Sequence, residues 1–187
     1  MSPTRSGRAP SVLVPVDGPE GASVVLVPPG NGGASWTVRE VLVPHDGTPS
    51  TAKAIRRASE VARSAGAWLR VLHVATSAEA PAEPGSLTAP RYLDQPQHEW
   101  PTWAEEFLQR LSGVCRLDLD RLRLVLGHGQ PGDEVLRVAR ESRPDLILLA
   151  WRASAEPGRG KTVRTVLAGA CCPVMVVRTP RCPPDAR

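Results

Sequence analysis

Between Asp145 and Leu167 the chain reads DLILLAWRASAEPGRGKTVRTVL, and here residues able to hold an anion come together. Leu146 to Trp151 is an unbroken apolar run, the pattern of a strand buried on both faces. A loop with Pro157, Gly158 and Gly160 follows, and then Val163, Val166, Leu167 and Ala170 recur at helical spacing. In a strand–loop–helix unit of this kind, the first N–H groups of the helix have no intrahelical partner. Together with the positive end of the helix dipole they favour a phosphate. Arg152, Arg159, Lys161 and Arg164 supply charge of the matching sign. A solvated basic connection is the other reading that these residues allow.

AEPGRGKT also fits the relaxed phosphate-loop pattern [AG]-x4-G-K-[ST], with Ala155 in first place, Lys161 reaching for outer phosphates and Thr162 offering a hydroxyl to Mg2+. The element usually stands near the start of its domain, and no metal-binding hhhhD strand follows it here. Lys161 is therefore kept as a phosphate ligand without the rest of a nucleotide hydrolase. No Ser/His/Asp or Cys/His nucleophile arrangement can be assembled, so no catalytic residue is assigned and turnover is expected to be at most weak ATP hydrolysis. His45 beside Asp46 suggests a metal or acid–base pair, but adjacent strand residues point to opposite faces. His73 lies in an apolar strand and reads as a core histidine.

The elements that must position this loop are legible along the chain. The compact part starts near Arg39. Val41–Val43 is a buried strand ended by Pro44-His45-Asp46-Gly47, and Ser50 or Thr51 can cap a helix with Ala54, Ile55, Ala58, Val61, Ala62 and Ala65 on its apolar face. Gly66 stops that helix and Trp68–Val74 is the next strand. Residues 75–99 form a Pro/Ala/Glu-rich insertion. A helical segment with Trp103, Phe107, Leu108 and Leu111 follows, and it should pack its aromatics on the sheet. Leu122, Leu124 and Leu126 alternate as a half-buried strand, and Pro131 opens a helix carrying Val135, Leu136 and Ala139. Val174–Val177 is the last strand. Strands alternating with helices argue for a doubly wound α/β sheet, whose ligands sit beyond the strand C-termini where strand order reverses. The segments Pro44–Gly47 and Ala150–Gly160 would then share one crevice.

Outside this unit, residues 1–38 read as an N-terminal extension, partly disordered, in which Val12–Val16 and Val24–Val27 can form a hairpin across DGPEGA. Residues 179–187 read as a disordered tail. The 187 residues carry a formal charge of only +4, and basic residues do not gather beside aromatics on one element, which argues against nucleic acid. The four cysteines lack metal-ligand spacing and are expected to be reduced thiols in a cytoplasmic protein. No run reaches membrane-spanning length, and the N-terminus lacks the apolar core of a secretory signal.

REVLVPHDGTPSTAKAIRRASEVARSAGAWLRVLHV, GQPGDEVLRVARESRPDLILLAW and CPVMVVR, in that order, resemble the universal stress protein family over residues 39–178. The resemblance implies an open parallel five-stranded sheet of order 3-2-1-4-5, helices on both faces, and a homodimer paired through the last strand, Val174 to Val177. It also implies a regulatory module that binds ATP, with or without Mg2+. The alternative is a member without ATP that acts as a dimerising interaction module. ATP-binding members carry G-x2-G-x9-G-[ST] after the fourth strand. Here Ala150 and Ala153 stand at the first two glycines, the interval to Gly160 is three residues shorter, and Lys161 precedes Thr162. Asp46 matches the aspartate at the nucleoside end, Val74 the position beside adenine, and Gly129 the glycine before the central helix. Pro44 and Gly158 complete the expected binding set.

Overall fold

The structure is a computed structural model that describes residues 12–16, 23–27, 36–45, 49–75, 104, 105, 107–109, 119–152 and 160–179. Seven strands form one sheet: β1 (Val12–Val16), β2 (Ser23–Val27), β3 (Glu40–His45), β4 (Trp68–Ala75), β5 (Leu122–His128), β6 (Leu146–Arg152) and β7 (Val174–Thr179). Their spatial order is β1-β2-β7-β6-β3-β4-β5. Strands β3 to β7 are mutually parallel where they pair. Counted among themselves they have the expected order 3-2-1-4-5.

Valine, leucine and isoleucine fill these strands because both faces are covered. Helix α1 (Pro49–Ala65) lies on one face, where Ala54, Ile55, Ala58 and Ala62 meet Val41, Val43, Leu69, Val71, Leu146 and Leu148. The alanines leave room for close approach of helix to sheet, and full burial of Ile55 contributes about 2–3 kcal/mol. Phe107 joins this core, as expected of the helical segment, whereas Tyr92, Trp100 and Trp103 lie outside the described residues. Helices α2 (Pro131–Ser142) and α3 (Lys161–Gly169) cover the other face through Val135, Val138, Val163 and Val166.

Three local readings need correction. Ser50 and Thr51 lie within α1 and do not precede it; Pro49 takes the first helical position, where its missing N–H costs nothing. Ala65, at the helix end, is exposed. Trp151 is 42 % exposed, so burial on both faces stops at Leu149. Gly66 does end α1, at φ +64, with its N–H donating to the Arg63 carbonyl and that of Ala67 to the Ala62 carbonyl.

The largest correction concerns the sheet margin. β1 and β2 pair as the antiparallel hairpin allowed by the sequence, but β2 also pairs antiparallel with β7, from Ser23↔Val177 to Leu26↔Val174. With β6 on its other side, β7 has both edges filled, and Val174–Val177 is not free to pair with a second chain in this arrangement. The reason is physical: a valine-rich edge is a pairing template, and this chain covers it with its own residues.

Candidate functional site

The expected binding residues fall at the carboxyl end of the parallel strands. β3 and β4 run in register to His45↔His73, so Val74 stands one residue beyond their last pair. β4 and β5 pair Val74↔Gly127 and Ala75↔His128, and the turn at Gly129 begins just beyond. β3 and β6 pair Val41↔Leu146 and Leu42↔Ile147. Continuing that register brings Ala150 level with His45. Pro44, Val74, Gly129 and Ala150 are thus gathered at one end of four adjacent strands. Asp46, Ala153 and Gly158 lie outside the described residues.

The alternation of the strands decides which way these side chains point. Val74 is buried with Leu42, Leu72, Val135 and Val138 on the side of α2 and α3. The half-buried Ala150 packs on the opposite side, against the core under α1. His45 is also buried, with its ring 5.3 Å from Phe107 and 6.2 Å from His73. Among the described residues no three metal-ligating side chains converge.

Gly160 opens α3. Its φ of +86 is left-handed, a conformation that costs a residue with a Cβ and suits glycine. Among the described residues no side chain caps the helix; the first intrahelical bond is Arg164 N–H to the Gly160 carbonyl. The N–H groups of Lys161, Thr162 and Val163 belong to the first turn, where no intrahelical acceptor exists. Lys161 and Arg164 are exposed beside them and no acidic residue occupies that turn. An anion at this helix start would meet amide dipoles and two cations. Gly129, at φ +97, would meet no atom of the described residues within 4 Å of an added Cβ.

Sequence reasoning missed one carboxylate. Glu134, 9 % exposed, lies in the first turn of α2 against the backbone of Gly127. Arg137 binds it through two nitrogens, Nη2 to Oε1 at 2.6 Å and Nε to Oε2 at 2.9 Å, and reaches Glu141 at 2.6 Å. Hydrogen bonding to Arg137 holds the Glu134 carboxyl below the usual range against the opposing effect of burial, and the His128 backbone contributes. The signal was available: an isolated glycine inside the strand RLRLVLGH marks close approach of another group.

The two exposed or half-buried thiols of Cys171 and Cys172 are free. Burial first, and then Cys171 and Asp145, push the Cys172 thiol up to about 11, so it is not a reactive thiolate at neutral pH.

The universal stress protein family model matches residues 37–178. Solved structures similar to this chain include a universal stress protein in complex with cAMP, at 19% identity and TM-score 0.55, covering 75% of this chain and 97% of its own. A universal stress protein UspA from Lactobacillus plantarum is 23% identical at TM-score 0.53, covering 78% and 99% respectively. A family protein from Burkholderia pseudomallei is 20% identical at TM-score 0.52, covering 77% and 98%. Among curated proteins none matches the chain. With three quarters of its length matched by the family model and the five parallel strands in the expected order, the chain belongs to the universal stress protein family.

Proposed function

We propose that this chain binds an adenine nucleotide at the carboxyl end of β3, β4 and β6, and acts as a regulatory module through nucleotide-dependent conformation rather than turnover. The observation that carries the proposal is the start of α3. A left-handed Gly160 leads into a helix with no side-chain cap among the described residues and with Lys161 and Arg164 exposed at its start. The residues fit a phosphate group there by donor chemistry: backbone N–H groups, an ammonium and, at Thr162, a hydroxyl. The structure of a family member in complex with cAMP supports an adenine ligand.

In this proposal Gly160, Lys161 and Thr162 hold phosphate, with Ala150 on β6 and with Ala153 and Gly158 from the sequence between β6 and α3. Asp46, Pro44 and Val74 attend the nucleoside, and Gly129 leaves space beside it. ATP is the proposed ligand, and Mg2+ would offset phosphate charge when bound. Calorimetric titration of the purified chain with ATP, with and without Mg2+, tests this: saturable heat at a one-to-one ratio supports it.

A second reading, an interaction module that has lost nucleotide, is favoured by Ala150, whose methyl occupies a position that is glycine in ATP-binding members. The packing of Ala150 toward the α1 core weakens that objection, because the methyl has apolar neighbours. Absence of heat with ATP and with adenosine would favour this second reading.

A further inference from the structure

We propose that the N-terminal hairpin is an autoinhibitory edge cap: β2 occupies the place where the last strand of a second copy would pair, and its displacement opens β7 for self-association. The inference rests on the β2–β7 pairing and is independent of nucleotide binding.

The register carries the argument. Val24 lies opposite Val176 and Val25 opposite Met175. Val25 is 5 % exposed and enters the core cluster that also holds Met175 and Val177. Consider two copies of β7 paired antiparallel about a two-fold axis normal to the sheet. Side chains must then keep their face, so paired positions differ by an even number. Centring the axis on Val176 sets Val176 against its copy and Met175 against the other copy's Val177. β2 therefore offers valine at both positions where a second β7 would offer valine. In these two pairs the hairpin strand is a chemical copy of the strand that it keeps out.

Displacement does not require the parallel sheet to open. β2 is antiparallel to β7, and β7, β6 and β3 are parallel, so the end of β2 and the start of β3 lie at one end of the sheet. Three strand spacings separate them, about 14 Å. Residues 28–39 connect them, a length of chain that can extend to about 40 Å. The hairpin is marginal to the sheet and precedes the family match, which begins at residue 37. Elements of this kind open at lower free energy than central strands.

The test uses full-length protein in sedimentation, with hydrogen exchange at the β7 amides. The parent should be monomeric at tens of micromolar, with those amides protected. Val25→Asp places a charge in an apolar contact and should give a dimer whose β7 amides remain protected. Val25→Ala, milder and safe for folding, should raise the dimer fraction at a fixed concentration severalfold. A dimeric parent with its hairpin amides protected would overturn the proposal. So would folded, monomeric Val25→Ala, whether or not Val25→Asp folds, and so would a variant dimer whose β7 amides exchange freely.

Discussion

Gly127 and Glu134 compete for one space: a Cβ on Gly127 would stand 2.4 Å from Glu134 Cγ and 2.7 Å from its Oε1. β5 can pack against the first turn of α2 only because residue 127 has no side chain. The carboxylate is pinned by Arg137 and cannot simply rotate away. Gly127→Ala should therefore destabilise the protein by about 1–3 kcal/mol, the range for overpacking. In the Glu134→Ala background the same substitution should cost much less. Denaturant unfolding of the four proteins of this cycle measures the coupling.

Glu134 also sets a pH dependence. Its carboxyl titrates below its usual value because the fold favours the charged form. Its stabilisation is thus complete above the unfolded value, about 4.3, and is lost as pH falls through the lower folded value. Glu134→Gln should be less stable than the parent at neutral pH, by about 1 kcal/mol. The gap should close as both are taken to acid, and it should not change between pH 6 and 8, as read from unfolding midpoints.

Asp145 ties β6 to the start of β3. Its Oδ2 accepts the Arg39 N–H at 2.8 Å and the Glu40 N–H at 3.1 Å, and its own N–H donates to the Glu40 carbonyl at 3.0 Å. Asp145→Asn keeps the shape and removes the charge. It should lower stability by about 1 kcal/mol through weaker charge-assisted bonds. The exchange protection of the Arg39 and Glu40 amides should fall while that of β5 stays unchanged.

What the sequence made legible follows from how local each signal is. Val41–Val43, Leu146–Trp151 and Val174–Val177 read as buried strands because every residue is apolar, which holds for the second only as far as Leu149, and the helices read from spacing and their glycine or proline ends. The hairpin was legible as a hairpin and its partner was not. VLVPV and SVVLV state a strand propensity, but nothing local says that β2 seeks a strand some 150 residues away. The same holds for Glu134, an ordinary first-turn acid until Gly127 is seen beneath it. In the candidate site, the left-handed Gly160 and the helix behind it were foreseeable from the glycine and the apolar period. The direction in which Ala150 packs depends on strand parity across the sheet, which one segment cannot reveal.

The central claim is that the start of α3 recognises phosphate, and calorimetry of ATP and adenosine against the parent and Lys161→Ala tests it most directly. Lys161 is exposed, so its loss should leave the fold intact. The account expects ATP to weaken by about 1–3 kcal/mol, as for a lost charge-assisted hydrogen bond. Adenosine, which has no phosphate, should bind the two proteins equally. Equal losses for ATP and adenosine, or no binding of either by the parent, would contradict it.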